Sequence, residues 1–128
     1  MKSHLAWLLL VIFASCNKED GPTADQRDAW VGSYHGIKTS TFWTMNQPST
    51  TSSDTFSVVV KKDPNAAGYL FVGAQRVLPD ANGYVSLDYS SGWQLWELQL
   101  GRDSLKLNTA SGGLGGGTNA SYRGKRMK

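Results

Sequence analysis

Short runs in which apolar and polar residues alternate dominate the chain after residue 29, and this period of two constrains the fold more than any other feature. Residues 55–62 (TFSVVVKK), 84–89 (YVSLDY) and 104–109 (SLKLNT) each place most of their apolar side chains on one face. This is the pattern of a strand with one buried face. After residue 29, no segment shows the long 3.6-residue period of a helix. The sequence therefore predicts an all-β domain.

Dense turn signals separate these runs, for example Asp63-Pro64-Asn65 and residues 78–83 (LPDANG). The predicted strands are residues 30–36, 55–62, 68–77, 84–89, 93–100, 104–109 and 118–127. The Thr/Ser-rich segment 40–54 and the glycine-rich segment 111–117 are predicted as loops. Short connections favour an antiparallel meander of seven or eight strands. Such a meander closes into a small barrel or splits into a two-sheet β-sandwich.

The first fifteen residues have the layout of a signal peptide rather than of a folded segment. A short basic stretch (1–4) is followed by ten apolar residues (5–14), and small residues precede Cys16. A membrane-spanning helix needs about 20 apolar residues, so this run is too short for a permanent span. We expect residues 1–15 to be a signal peptide and the protein to be exported.

Cys16 is the only cysteine, so no disulfide can form within the chain. The sequence Phe13-Ala14-Ser15-Cys16 resembles a bacterial lipobox, in which the cysteine is acylated and becomes the mature N-terminus. This resemblance implies lipidation at Cys16 and attachment to a membrane through the lipid. Residues 16–28 carry no large apolar side chain and are predicted as a flexible lipidated tether, ahead of a β domain over 29–128.

Lys18-Glu19-Asp20, just after that cysteine, resembles the lipoprotein export signal of Bacteroidota. The resemblance implies an outer-membrane lipoprotein displayed at the cell surface, and a periplasm-facing lipoprotein is the alternative. The net charge of +3 does not indicate nucleic-acid binding. Residues 16–122 hold eight basic and ten acidic side chains, and four of the last six residues are basic. A basic terminus alone is a weak electrostatic footprint for nucleic acid.

The segment Trp30-Val31-Gly32-Ser33-Tyr34-His35-Gly36 resembles the opening strand of small lipocalin-like (calycin-like) barrels. Residues 121–125 (SYRGK) resemble their closing strand. The glycine here follows the tryptophan, whereas in lipocalins it precedes it. The resemblance implies a small barrel with a packed interior or room for one small ligand, and it does not assign a ligand.

Chemistry-bearing motifs are scarce, and we expect the protein not to be an enzyme and to use no cofactor. His35 is the only histidine after the predicted signal peptide, so no pair of histidines is present to bind a metal. The glycine-rich segment 111–117 lacks the Gly-Lys-Ser/Thr ending of a phosphate-binding loop. We predict no catalytic residue and no metal site.

Aromatic residues provide the functional candidates. We predict a binding protein that holds a small apolar or glycan ligand at a barrel mouth, with candidate ligand-binding residues Phe42, Trp43, Trp93 and Glu97. The alternative is an interaction or structural lipoprotein with a packed core, such as an inhibitor or an accessory subunit bound to an outer-membrane protein. Asp103-Ser104-Leu105 also resembles the O-glycosylation motif of exported Bacteroidota proteins.

Overall fold

The computed structural model describes residues 24–88 and 93–128. They form one short 3₁₀ helix and eight strands: η1 (Gln26–Ala29), β1 (Gly32–Thr44), β2 (Gln47–Lys62), β3 (Leu70–Val72), β4 (Gln75–Val77), β5 (Tyr84–Asp88), β6 (Trp93–Leu100), β7 (Ser104–Gly113) and β8 (Gly116–Arg126). The predicted signal peptide, Cys16 and the Lys18-Glu19-Asp20 signal lie outside the described residues. No helix within the described ranges has the length and apolar character needed to cross a membrane.

All eight strands belong to one antiparallel sheet with the order β4-β3-β2-β1-β8-β7-β6-β5. Every neighbouring pair except β1–β8 is also consecutive in the chain, so the sheet is a meander whose first and last strands pair. The sheet curves into a nearly closed barrel. The all-β meander prediction is confirmed, with one curved sheet in place of the two-sheet alternative. A seam remains between β4 and β5, which end the strand order and are not hydrogen-bonded to each other.

Four of the predicted boundaries are wrong. Segment 40–54 is not a loop: it forms the ends of β1 and β2, joined at Met45-Asn46. The glycine-rich segment 111–117 is likewise a hairpin between β7 and β8. Residues 68–77 contain two strands of three residues each, because the chain turns at Gly73, whose φ of 60° suits glycine. The predicted first strand begins at Gly32, since Trp30 still belongs to the end of η1.

The core fills one end of the barrel, which we call the closed end. Its largest fully buried side chains are Tyr34, Leu70, Leu98, Leu100, Leu105 and Val60. Trp30 packs with them at 6 % exposure, and the buried Tyr34 hydroxyl donates a 2.8 Å hydrogen bond to the Trp30 carbonyl. Burial raises the pKa of Tyr34. Trp30 therefore packs as a core residue at the closed end.

At the other end, which we call the open end, the strands are of unequal length. β1, β2, β7 and β8 have 13, 16, 10 and 11 residues, whereas β3 and β4 have three each. The β1–β2 and β7–β8 hairpins therefore extend as a tall wall past the rest of the barrel. Their ends are polar, and β2 is exposed at every position from residue 47 to 55.

A polar cluster, here called the N-terminal clasp, binds η1 to the turn between β2 and β3. Arg27 donates hydrogen bonds to the carbonyl oxygens of Asp63, Ala66 and Tyr69, at 3.3, 3.3 and 2.9 Å. Its side chain also forms a 2.8 Å ion pair with Asp25, which keeps the pKa of the Asp25 carboxyl far below its usual range. Residues 25–28, placed in the predicted tether, are thus bound to the barrel.

Asp63 completes the clasp from the other side. The main-chain N–H of Asn65 and the side chain of Arg76 donate hydrogen bonds of 2.9 and 2.7 Å to its carboxylate. These contacts lower the pKa of Asp63, the main-chain bond from Asn65 most of all. Asp63 is 6 % exposed, and the guanidinium of Arg76 stacks 3.9 Å from the centre of the Tyr69 ring.

Candidate ligand-binding cup at the open end of the barrel

The barrel interior is not filled above the core, where a cavity of about 240 Å³ remains. We call it the aromatic cup. Its lining residues come from β2, β3, β4, β6, β7 and β8: Phe56, Ser57, Val58, Val72, Gln75, Trp96, Leu105, Leu107 and Tyr122. Apart from Ser57, each of these residues lies on the inner face of its strand, so its side chain points into the barrel.

Three aromatic side chains form the upper part of the cup. Phe56 and Tyr122 meet edge to face, with ring centres 5.2 Å apart and planes at 90°. Trp96 lines the same cavity from β6 and is half-buried, as are the other two rings. Edge-to-face pairs are a favourable aromatic arrangement. The three rings therefore form a defined, partly exposed apolar surface.

A glycine makes room for this arrangement. Gly124 on β8 lies beneath the Phe56 ring, and a Cβ atom at that position would sit 3.0 Å from Phe56 Cζ. Contacts this short force a neighbour to move. Gly36 pairs with both Phe56 and Gly124, so two neighbouring positions on β1 and β8 beside the ring carry no side chain. The absence of a side chain at these two glycines thus leaves room for the Phe56 ring.

One cation stands at the rim of the cup. The ammonium of Lys38 lies 5.4 Å from the centre of the Tyr122 ring, which is its cross-strand neighbour on β8. Asp54 is its neighbour on β2 and shares the inner face by register. Even so, Lys38 forms no ion pair with any carboxylate in the described part of the chain. Its charge is available to an anionic group of a ligand.

The size and lining of the cup limit what it can hold. Sites for drug-sized molecules measure about 300–1,000 Å³ and combine apolar walls with a few placed polar groups. At about 240 Å³ the cup is smaller, and its lining is mostly apolar, with Ser57 and Gln75 as exceptions. These dimensions suit a single ring or a short stretch of acyl chain.

The structure disperses the four predicted ligand-binding residues. Phe42 shares the inner face with Lys38, at two-residue steps along β1, and lies on the tall wall above the cup with 54 % exposure. Trp43 points to the opposite face and is half-buried, with its indole nitrogen near Gly117. Glu97 is on the outer face, where the Tyr84 hydroxyl donates to it over 3.5 Å.

Trp93 belongs to β6, and its side chain lies outside the described part of the structure. Only Phe42 of the four is therefore shown on the side of the sheet that bears the cup. The sequence pattern places Phe56 and Trp96 on apolar strand faces but does not single them out as candidate site residues, and it does not single out Lys38 or Tyr122. The sequence does contain one relevant pattern: Phe56 and Trp96 are aromatic residues on strand faces whose other apolar residues are aliphatic.

Other features fit a binding site less well. The seam between β4 and β5 has a larger groove of about 660 Å³, but it is more open and follows the edges of two short strands. His35 is exposed on the outer face, with its Nδ1 atom 2.6 Å from Ser57 Oγ. Within residues 24–88 and 93–128, no group of three or more potential metal ligands lies together.

Comparisons with protein-family models, with curated proteins and with solved structures find no match to this chain.

Proposed function

We propose that this chain is a lipid-anchored, extracytoplasmic binding protein and not an enzyme, and that the aromatic cup holds a small ligand. The observation that carries the proposal is the unfilled space bounded by Phe56, Trp96 and Tyr122. Protein interiors are normally packed to the density of organic crystals. A partly exposed apolar cavity with three rings is therefore a feature that a ligand would complete.

The lining favours an apolar ligand over a glycan. A sugar ring needs several hydrogen-bonding partners around an aromatic platform, and the described cup offers few polar side chains below its rim. Lys38 adds one positive charge beside Tyr122. The ligand that best fits is a small amphipathic anion: a ring or short acyl chain in the cup, with its carboxylate at Lys38.

The orientation of the barrel agrees with a membrane anchor upstream. η1 and the start of β1 lie at the closed end, and β1 runs from there to the open end. An anchor at Cys16 would hold the closed end nearest the membrane, with the cup facing away from it. The outer-membrane surface remains the proposed location, on the strength of the Lys18-Glu19-Asp20 resemblance.

A filling substitution tests the cup. Val58→Phe places a larger side chain in the cavity, whereas Val59→Phe makes the same change at the next residue, on the outer face. We expect saturable changes in tryptophan fluorescence when the parent and Val59→Phe proteins are titrated with medium-chain fatty acids or aryl carboxylates, and no change for Val58→Phe. Binding unaffected by Val58→Phe would contradict the cup as the site, and a response to a glycan panel alone would contradict the ligand class.

A charge substitution tests the rim. Lys38→Met should weaken carboxylate binding about 10- to 100-fold, because a charge-assisted contact contributes about 1.5–3 kcal/mol when it is made. Lys106→Met on the exposed outer face is the matched control and should leave binding unchanged. Equal binding of a carboxylate and of its methyl ester by the parent protein would show that Lys38 does not contact the head group.

A second candidate function is the interaction lipoprotein. It is favoured by an unpaired strand edge on the tall wall, which has no role in the cup.

A further inference from the structure

β2 is paired with β1 along most of its length, whereas its other side is paired only at one end. It has 16 residues, and β1 follows it from Gln47 to Val60. β3 pairs only with its last three residues, Val60–Lys62. From Gln47 to Val58 the outer edge of β2 therefore faces no strand in the described part of the structure. We call this stretch the open edge.

The direction of the main-chain groups along the open edge follows from two hydrogen bonds. The carbonyl of Val59 accepts from the Gly73 N–H, which lies on the side away from β1. In an antiparallel strand, alternate residues direct their N–H and C=O to the same side. The main-chain groups that point away from β1, within the plane of the sheet, are therefore those of Thr51, Ser53, Thr55 and Ser57. The Ser33 carbonyl, bound by the Met127 N–H on the β8 side, gives the same parity for β1.

These outward groups have no hydrogen-bond partner among residues 24–88 and 93–128. Of the devices that usually prevent strand pairing, the described edge has no lysine and no bulge between Thr50 and Val59, and it has one inward charge near its centre. Its only charged side chain, Asp54, belongs to the inner face, and Pro48 stands at the far end. A long edge rich in serine and threonine is thus open to another strand.

The open edge is complementary to itself. It runs from Gln47 to Val58, and Ser53 is the residue beside its midpoint whose main-chain groups point away from β1. A two-fold axis there would place Ser53 opposite Ser53 of the second copy and Thr51 opposite Thr55. Asp54 would face Ser52, whereas an axis at Asp54 would oppose two carboxylates. An axis closer to Val60 would drive the second copy into β3, which occupies that edge from Val60 onward.

We propose that two copies of this chain pair through their open edges, antiparallel about Ser53, and join their sheets into one. The outward pairs 51–55, 53–53 and 55–51 would exchange about six main-chain hydrogen bonds, two for each pair. The contact satisfies the free groups of both copies at once. Because both faces of β2 are polar here, main-chain hydrogen bonds rather than apolar burial hold the dimer.

Disulfide trapping tests the pairing in membranes of cells that express the full chain. Hydrogen-bonded antiparallel pairs have Cα atoms about 5.5 Å apart, which is the usual Cα separation of a disulfide. Under mild oxidation, Ser53→Cys should give a dimer whose 53–53 linkage is identified by mass spectrometry. The parent chain, which carries only Cys16, and Asn119→Cys, exposed on the middle strand β8, should stay monomeric.

A charge exchange tests the register. The double variant Thr51→Lys/Thr55→Lys puts like charges opposite each other in the dimer, as does Thr51→Glu/Thr55→Glu. A chain that carries Ser53→Cys and either double variant should form no 53–53 disulfide when it is expressed alone. Co-expression of the lysine and glutamate chains should restore the disulfide between them, because each lysine then faces a glutamate. The same pair of changes at Thr39 and Thr41, on β1, should have no effect, and thermal melting confirms that every variant is folded.

Three results would overturn the proposal. They are absence of the 53–53 linkage in folded protein, trapping that survives the like-charge variants, and a linkage from position 53 to a different protein. None of them bears on the aromatic cup, because Ser53 does not line it.

Discussion

The closed and open halves of this barrel differ in composition, packing and freedom of their main chain. In the closed half, Tyr34, Leu98 and Leu105 are at most 1 % exposed, and the Arg27 side chain bonds η1 to the turn between β2 and β3. In the open half, β2 is exposed at nine consecutive positions and one strand edge is bare. The long strands β1, β2, β7 and β8 run through both halves, so along these strands the difference lies in the side chains.

This difference indicates a division of roles along each strand. Burial of apolar area stabilises the fold, and the closed half contains nearly all of the buried apolar side chains. The open half contributes hydrogen-bonded ladders with little apolar burial, and it carries the cup and the open edge. A substitution should therefore affect stability or binding according to the half in which it lies.

Truncation of a core residue should have the largest effect. Leu98→Ala removes a fully buried side chain and should lower the free energy of unfolding by about 2–5 kcal/mol. Leu95→Ala, on the same strand but 40 % exposed on the outer face, should change it by no more than about 0.5 kcal/mol. Urea unfolding followed by tryptophan fluorescence measures both. Similar losses for the two variants would break the distinction between halves.

Removal of a single buried hydroxyl should have a smaller effect at the same end. Tyr34→Phe leaves the Trp30 carbonyl without its 2.8 Å partner and should cost about 1–3 kcal/mol. Thr41→Val, which removes the 3.2 Å contact to Thr51 on the exposed wall, is the matched hydroxyl deletion and should be close to neutral. Chemical denaturation compares them, and a larger loss for Thr41→Val would reverse the assignment.

Acid should weaken the N-terminal clasp. The pKa of Asp63 is lower in the folded protein than in the unfolded chain, so its contribution is present above the ordinary carboxyl pKa. It is lost as the pH falls through the lower, folded value. Melting temperatures between pH 6 and pH 2 should therefore fall less for Asp63→Asn than for the parent. A parallel decline in both proteins would show that Asp63 does not contribute to acid sensitivity.

Where side chains alternate between apolar and polar, the strands could be predicted from the sequence. β5, β6 and β7 were anticipated because a half-buried strand must show this period. The sequence predicts a loop at the ends of β1 and β2, because serine and threonine there face solvent on both sides. A hairpin that is exposed on both faces shows no alternation of apolar and polar residues. Its local sequence therefore does not distinguish it from a loop.

The cup could be predicted only in part. Parity placed Phe56 and Trp96 on inward faces, but it cannot tell whether a barrel interior is full, which depends on how far the walls stand apart. The approach of Phe56 over Gly124 is a tertiary contact between distant residues and leaves no local pattern. The proposals on Phe42, Trp43, Trp93 and Glu97 remain untested predictions.

The N-terminal clasp has a mechanical consequence. Because Arg27 is bonded to three carbonyl oxygens of the β2–β3 turn, a pull on the chain upstream reaches that turn as well as β1. The force is shared between two points on the rigid closed end. If the chain is anchored at Cys16 as proposed, tension from the membrane would act on this cluster of polar contacts as well as on the start of β1.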